Sequence, residues 1–241
     1  TMEYRYLGKT GVRVSEICLG TMTFGKEADE STSRAMMDRA LDAGVNFFDT
    51  ADIYNKGLTE KIIGRWIKPH RDKIVLATKV HFPTGPGPNE CGSSRRHILM
   101  EVENCLRRLK CEWIDLLYLH HWEDNTAIEE SLSAISSLVN QGKVHYCGVS
   151  NFSAWQTMKA IAVAQANDYV TVSCTQPMYN LVKRQAEVEI LPLAQDQSLG
   201  VIPYSPLGGG LLTGKYIDQK PEQGRLIENQ MYAVRYGEAL Y

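Results

Sequence analysis

The chain has 241 residues, of which 44% are hydrophobic and 22% charged, an ordinary balance for a soluble globular protein. Its formal charge of −2 gives no basic excess, which argues against a nucleic-acid partner. No apolar run is long enough to span a bilayer and no signal peptide is recognisable at the start, so we predict a cytoplasmic protein without a membrane partner.

The cysteines are spread along the chain without the paired spacing of a metal site. Several of them lie within apolar runs, where a small packed thiol is common. We therefore predict reduced thiols, as in a cytoplasmic protein, and no bound metal. The six cysteines are Cys18, Cys91, Cys105, Cys111, Cys147 and Cys174.

The first element predicted along the chain is a small hairpin, with strands at 4–7 and 12–14 around a glycine-containing turn. After it, amphipathic stretches alternate with short apolar runs. Gly44, Gly142 and Gly200 separate such pairs, as expected for the residue that ends a helix. The predicted core strands lie near 17–20, 46–49, 74–79, 114–119, 145–149, 172–176 and 200–204. The predicted helices lie near 31–43, 58–67, 94–109, 127–141, 153–166 and 186–197.

Two architectures alternate strands with helices in this way: an open doubly wound sheet and a closed (β/α)₈ barrel. The doubly wound sheet requires a G-x-G-x-x-G turn after its first strand, and the segment 19–25 has none. Polar candidates at the ends of several strands favour the barrel. We therefore predict an α/β fold in which a single domain, 1–241, forms a (β/α)₈ TIM barrel that lacks the eighth strand and the last helix. The exposed sheet edge of such a barrel favours association, and the oligomeric state stays open.

Four polar residues lie at or just beyond the ends of consecutive predicted strands: Asp49, Tyr54, Lys79 and His120. Each has a structural alternative, namely a helix cap, a packed phenol, a solvated amine and a satisfied core imidazole. The catalytic interpretation gains weight because the carboxyl ends of successive strands meet at one end of a barrel. We therefore predict that the four side chains share one cleft.

The four groups together suit protonation of a carbonyl oxygen during hydride transfer. A tyrosine has an ordinary pKa of about 10, and a nearby ammonium lowers that pKa. We predict that Lys79 supplies this ammonium, that Asp49 keeps it charged and oriented, and that Tyr54 is the proton donor. A neutral His120 is assigned to orient the carbonyl oxygen.

Longer segments around these residues show a resemblance to a known family. The segments are 48–54, 115–120, 148–152 and 204–216. Together they resemble the aldo-keto reductase superfamily, and the similarity runs from Tyr4 to about Tyr236. The likeness is greatest to the branch of bacterial aldo-keto reductases and potassium-channel β subunits. It implies a barrel, the roles assigned above, and reduction of a small-molecule aldehyde or ketone to an alcohol with NADP as cofactor, NADPH being preferred and NAD not excluded.

The resemblance also implies where the nicotinamide of the cofactor lies. Ser150, Asn151 and Gln176 match family positions around the carboxamide. Tyr204 matches the aromatic residue that stacks on the nicotinamide ring. This end of the implied site adjoins the four catalytic candidates along the strands.

The cofactor phosphates are implied to lie at the glycine-rich segment 205–210, with Lys215 and Arg225 reaching phosphate groups. Backbone donors supplemented by cations suit phosphates, whereas the glycines alone would indicate only a flexible turn. The complete predicted cofactor set is Thr21, Ser150, Asn151, Gln176, Tyr204, Ser205, Pro206, Leu207, Gly208, Gly210, Lys215 and Arg225.

The segment 80–92 is long and rich in proline and glycine, which is typical of a lid or a binding loop. We consider Phe24, Phe82 and Trp122 as the lining of a substrate pocket, with ordinary loop packing as an equal alternative.

The chain departs from the family pattern at its end. Family members continue past the position of Tyr236 through an eighth strand, and that segment contacts the adenosine 2′-phosphate. The choice between NADP and NAD, and the identity of the substrate, therefore stay open. Two alternatives to an enzyme are a nucleotide-sensing regulatory subunit, which in this family carries Asn at the position of His120, and an inactive truncated remnant.

Overall fold

A computed structural model describes residues 1–217 and 223–236, so 218–222 and 237–241 of the predicted domain lie outside the described residues. The chain begins with an antiparallel hairpin of β1 (Tyr4–Tyr6) and β2 (Arg13–Ser15). Leu7 and Val14 of this hairpin pack into the same inner apolar cluster as Phe47 of the following sheet. The predicted hairpin is therefore present, and it covers one end of the sheet's interior.

A seven-stranded parallel sheet follows the hairpin and alternates with helices. Its strands are β3 (Cys18–Gly20), β4 (Phe47–Asp49), β5 (Val75–Val80), β6 (Ile114–Leu119), β7 (Val144–Ser150), β8 (Val172–Gln176) and β9 (Gly200–Val201). The helices are α1 (Glu30–Asp42), α2 (Leu58–Trp66), α3 (Arg95–Leu109), α4 (Ile128–Asn140), α5 (Ala154–Ala166), α6 (Ile190–Gln197), α7 (Arg225–Glu228) and α8 (Gln230–Tyr236).

The strands pair strictly in chain order from β3 to β9, and every pair is parallel. Such an order, with a helix after most strands, is that of a (β/α)₈ barrel. Within the described ranges no pairing joins β3 to β9, so the seven strands form a curled half-barrel. The predicted α/β fold, a (β/α)₈ barrel incomplete by one strand, is confirmed.

Residues on successive strands alternate between two apolar layers, as the period of two in a strand requires. Phe48 and Leu117 belong to the outer cluster that packs against the helices, whereas Phe47 and Leu116 belong to the inner cluster inside the curled sheet. Tyr118, two residues after Leu116, is also part of the inner cluster. By the same alternation, a residue that lies two positions after a member of the inner cluster also faces the interior of the curled sheet.

The structure differs from the predicted elements mainly after the seventh strand. Strand β9 has only two residues because Pro203, which follows soon after, lacks the N–H group that a ladder needs. Helices α7 and α8 were not predicted, since each is short and lacks a sustained apolar period. Among the helices described, none has the length and apolarity to cross a membrane.

Candidate active site

Three of the four catalytic candidates come from inward-facing strand positions. Asp49, Lys79 and His120 each lie two residues beyond a member of the inner cluster, at the carboxyl ends of β4, β5 and β6. All three are buried, with relative exposures of 7%, 1% and 8%. Strand alternation and parallel pairing therefore bring the acid, the amine and the imidazole to one end of the half-barrel.

Tyr54 reaches the same place from a tight turn rather than from a strand. It begins a 3₁₀ turn (Tyr54–Gly57) in which Asn55 and Lys56 have positive φ values of 47° and 55°. The Asn55 amide donates to the carbonyl oxygen of Phe24 over 2.7 Å. This bond holds the turn against the loop after β3 and so fixes the base from which Tyr54 projects.

Three of the four side chains, those of Asp49, Tyr54 and Lys79, form a hydrogen-bonded network centred on the amine. Lys79 Nζ donates to the Asp49 carboxylate, to the Thr50 carbonyl oxygen at 2.7 Å, and lies 3.2 Å from the Tyr54 hydroxyl. The second carboxylate oxygen of Asp49 accepts from Gln176 Nε2 at 2.9 Å. The Lys79 ammonium has three N–H donors, and two of them point at Asp49 and at the Thr50 carbonyl oxygen. The third is therefore directed towards the Tyr54 hydroxyl oxygen.

Burial and pairing act in opposite directions on the amine and the phenol. Burial lowers the pKa of Lys79, but the Asp49 charge and its hydrogen bonds outweigh burial, so the net pKa is raised and the amine stays charged. Burial raises the pKa of Tyr54, and the Lys79 charge only partly offsets it. The ammonium therefore lowers the pKa of Tyr54 as predicted, but the net pKa is raised because desolvation of the phenolate is the larger effect.

His120 faces Tyr54 across the cleft as a neutral imidazole. Burial, with a smaller contribution from the Lys79 charge, lowers its pKa to about 2. Its ring meets that of Tyr54 edge-on at 6.1 Å between centroids, and that of Phe82 at 4.8 Å. Since the charged form is disfavoured, His120 can position a polar group without adding a positive charge.

A cleft of about 660 Å³ opens above this network. Asp49, Tyr54 and His120 lie in its wall, whereas Lys79 is buried beneath them. Most of the predicted cofactor residues and one predicted substrate residue also line this cleft. They are Thr21, Phe82, Ser150, Asn151, Gln176, Tyr204, Ser205, Pro206 and Arg225.

The remaining predicted site residues lie outside this lining. Phe24 is fully buried in the outer cluster, and Trp122 packs edge-on against Phe152 with centroids 5.3 Å apart. For these two aromatics the structure places the side chain in ordinary packing, the alternative that the sequence left open. The others, from the loop after β9, are Leu207, Gly208, Gly210 and Lys215.

One wall of the cleft is a chain of polar contacts from β7 to the loop after β9. Asn151, held at a positive φ of 57°, donates to the His120 carbonyl oxygen at 2.9 Å. Its side-chain oxygen accepts from the Tyr204 hydroxyl at 2.8 Å. Ser150 Oγ donates to the Gln176 carbonyl oxygen at 3.0 Å. This wall therefore presents amide and hydroxyl groups beside the ring of Tyr204.

The glycine-rich loop after β9 packs against α8. Gly209 and Gly210 have φ values of 67° and 101°, a region that favours glycine. A Cβ atom on Gly209 would lie 2.7 Å from the ring of Tyr232, so the close approach itself requires glycine. The Lys215 ammonium lies 5.1 Å from the ring centroid of Tyr216.

Among the cleft residues that sequence reasoning missed, one group lies on α8 and in the loops after β3 and β6. These are Met22, His121, Met231, Tyr232 and Arg235. The signal available was the spacing of Tyr232 and Tyr236, four residues apart as on one helix face. In the described part of the chain, no three metal-binding side chains converge as ligands.

The sequence matches one family model and several known relatives. The model of the aldo/keto reductase family matches residues 16–236. A protein from Bacillus subtilis (strain 168), named uncharacterized oxidoreductase YrpG, is 47% identical over 225 residues, covering 89% of this chain and 69% of the relative. Two proteins named probable voltage-gated potassium channel subunit beta, from Oryza sativa subsp. japonica and Arabidopsis thaliana, are each 39% identical over 220 residues, covering 89% of this chain and 67% of each relative.

Proposed function

The chain belongs to the aldo/keto reductase family, and we propose that it is an oxidoreductase that reduces the carbonyl group of an aldehyde or ketone to an alcohol with NADPH. One observation carries this proposal. A buried, charged Lys79 is held by Asp49 and directed at the Tyr54 hydroxyl, opposite a neutral His120 in one cleft.

The side chains that line the cleft support binding of a nicotinamide nucleotide. Asn151 and Gln176 offer amide groups for a carboxamide, and the ring of Tyr204 offers a flat apolar face beside them. Arg225 lies in the same wall and can meet a phosphate. The bound nicotinamide supplies the hydride that reaches the carbonyl carbon.

The protein's own residues handle the proton. As negative charge grows on the carbonyl oxygen, Tyr54 donates its hydroxyl proton to that oxygen. The Lys79 ammonium stabilises the phenolate that remains, and Asp49 keeps the ammonium in place. His120, whose ring meets that of Tyr54 edge-on in the cleft, would orient this oxygen as a neutral ring. A raised pKa keeps Tyr54 protonated, as a donor must be, until charge develops.

The pH dependence of kcat is expected to show loss of activity on the alkaline side alone. Burial raises the pKa of Tyr54, so the donor loses its proton only above the ordinary tyrosine value of about 10. His120, with a pKa of about 2, stays neutral throughout the range where the protein is folded. A pH–rate profile with saturating aldehyde checks this. An inflection near about pH 6.5 that disappears in His120→Asn would show instead that this imidazole titrates normally.

Removing the ring of Tyr204 is expected to weaken NADPH binding more than removing its hydroxyl. Tyr204→Ala removes the proposed stacking surface. Tyr204→Phe keeps that surface and removes only the hydrogen bond from the Tyr204 hydroxyl to Asn151. That bond contributes about 0.5–1.5 kcal/mol to the stability of the fold. Titration of NADPH by quenching of protein fluorescence measures both. Equal weakening in the two variants would mean that the hydroxyl, and not the ring, holds the cofactor.

A second candidate function is nucleotide binding with little turnover, because two relatives carry the name of a potassium-channel subunit. His120 favours the enzyme, since its imidazole lies against the ring of Tyr54, beside the network of Asp49, Lys79 and Tyr54. Fluorescence titration with NADPH, followed by a turnover screen of aldehydes and ketones, separates the possibilities. We expect both binding and turnover. Binding without turnover would favour the subunit, and absence of both would indicate an inactive protein.

A further inference from the structure

The mouth of the cleft brings two arginines onto one aromatic ring. The guanidinium carbons of Arg225 and Arg235 lie 5.4 Å and 5.8 Å from the ring centroid of Tyr232. Arg235 also lies 5.8 Å from the ring centroid of Tyr204. Both arginines are half-buried and both line the cleft that holds the catalytic candidates. Two like charges therefore share a partly desolvated wall, a costly arrangement when no anion accompanies them.

No described carboxylate offsets these two charges. Among residues 1–217 and 223–236, neither arginine has an acidic side chain within ion-pair distance. Of the carboxylates in these ranges, Asp49 alone lines the cleft, and its oxygens are occupied by Lys79 and Gln176. The described wall is thus electropositive, and no acidic side chain of the described residues pairs with its guanidinium groups.

Arg235 is connected through two side chains to the strand end that carries His120. It contacts the ring of Tyr204, whose hydroxyl bonds to Asn151, and Asn151 bonds in turn to the backbone of His120. Tyr232, which carries Arg235 on its ring, is also near enough to Tyr54 to raise the pKa of that phenol. Arg225 has a ring contact with Tyr232, whereas Arg235 has one with Tyr232 and one with Tyr204.

Resting on the proposed function, we propose that the carbonyl substrate carries an anionic oxygen group, a carboxylate or a phosphate, and that Arg235 binds it. A guanidinium forms two parallel hydrogen bonds with such a group, which fixes orientation as well as position. The rings of Tyr204 and Tyr232 hold the guanidinium plane in place. The substrate is then anchored at its charged end while its carbonyl meets Tyr54 and His120.

Matched aldehydes that differ in one charged group test this assignment. We compare para-carboxybenzaldehyde with benzaldehyde, and phosphorylated glyceraldehyde with glyceraldehyde, by their kcat/KM values. In Arg235→Gln, we expect the charged member of each pair to lose about ten- to a hundredfold, the usual effect of a charge-assisted hydrogen bond. The uncharged member should keep its kcat/KM. Arg235→Lys should lose less, since it keeps the charge and loses only the fork.

Further measurements distinguish an anion on the substrate from a phosphate of the cofactor. The cofactor could also supply a phosphate to Arg235, and in that case Arg235→Gln would weaken NADPH binding and lower kcat/KM equally for charged and neutral aldehydes. That result would overturn the proposal. Arg225→Gln, at the other guanidinium on Tyr232, is expected to affect NADPH affinity and leave the charged-to-neutral ratio unchanged. Arg34→Gln, an exposed charge on α1, controls for net charge, and thermal melts control for folding.

An equilibrium measurement keeps this proposal separate from the proposed function. Calorimetric titration with benzoate and with inorganic phosphate needs no turnover. Weaker binding of both anions to Arg235→Gln than to the unchanged protein supports the anion site, even if no aldehyde is reduced. Equal binding to the two proteins overturns the site, even if aldehydes are reduced well.

Discussion

Replacing Tyr54 by phenylalanine is expected to lower kcat by about 10²–10⁴-fold while the Kd for NADPH barely changes. The hydroxyl that is lost lies 3.2 Å from Lys79 Nζ and faces the cleft, whereas the ring that remains keeps its contact with His120. The variant therefore loses the proton donor but keeps the ring that forms part of the cleft wall. Single-turnover reduction of an aldehyde gives the chemical step, and fluorescence titration gives the affinity.

Tyr118→Phe is the matched control for this change. Tyr118 is a fully buried phenol on the interior side of the sheet, and unlike the half-buried Tyr54 it does not line the cleft. We expect its substitution to leave the chemical step unchanged. Full turnover in a folded Tyr54→Phe variant would remove Tyr54 from the mechanism, and an equal loss in Tyr118→Phe would point to general disturbance of the interior.

Replacing Lys79 by methionine is expected to reduce kcat about as strongly as Tyr54→Phe, and the double variant should lose far less than the two changes combined. Residues that act as one unit show such non-additivity, and here the amine acts through the phenol. The measurement is the kcat of the two single variants and the double variant with one aldehyde. Independent, multiplicative losses would show that Lys79 does not work through Tyr54.

Lys79→Met should also destabilise the fold, by about 3–5 kcal/mol, because it leaves a buried carboxylate without its ion-pair partner. Asp49 then keeps only the bond from Gln176. Adding Asp49→Asn to Lys79→Met removes the unpaired charge and should recover part of the loss. Urea unfolding measures the free energy of unfolding of the unchanged protein, of Lys79→Met and of the double variant. Lys61→Met, at an exposed lysine, is the control. Equal stability of the two Lys79→Met proteins would mean that the unpaired carboxylate is not the cause.

Much of the site was predictable because its geometry follows from local rules. The period of two in a strand and the common direction of parallel strands place Asp49, Lys79 and His120 on one side and at one end. The strand order also follows, since consecutive β–α units pair in chain order. Tyr54 was predictable by its distance from Asp49, although the positive-φ turn that presents it was not.

Other features depended on neighbours that are distant in the sequence. The net direction of the Tyr54 pKa is decided by how much of the folded chain surrounds the phenol, which no local pattern contains. Phe24 and Phe82 are similar as sequence candidates, yet one lies in the outer core and the other in the cleft. Helix α8 is too short to be predicted from periodicity, and its Arg235 becomes a cleft residue only through packing on Tyr204.

The sequence by itself thus determined the strands, the first six helices, the parallel strand order and the four catalytic candidates, because spacing and residue type act over a few neighbouring positions. The tertiary structure alone decided the charge states, the division of aromatics between core and cleft, and the convergence of Arg225 and Arg235 on Tyr232. Those properties depend on contacts between segments that are distant in the sequence. For the pKa shifts, burial decides the direction as well as the size.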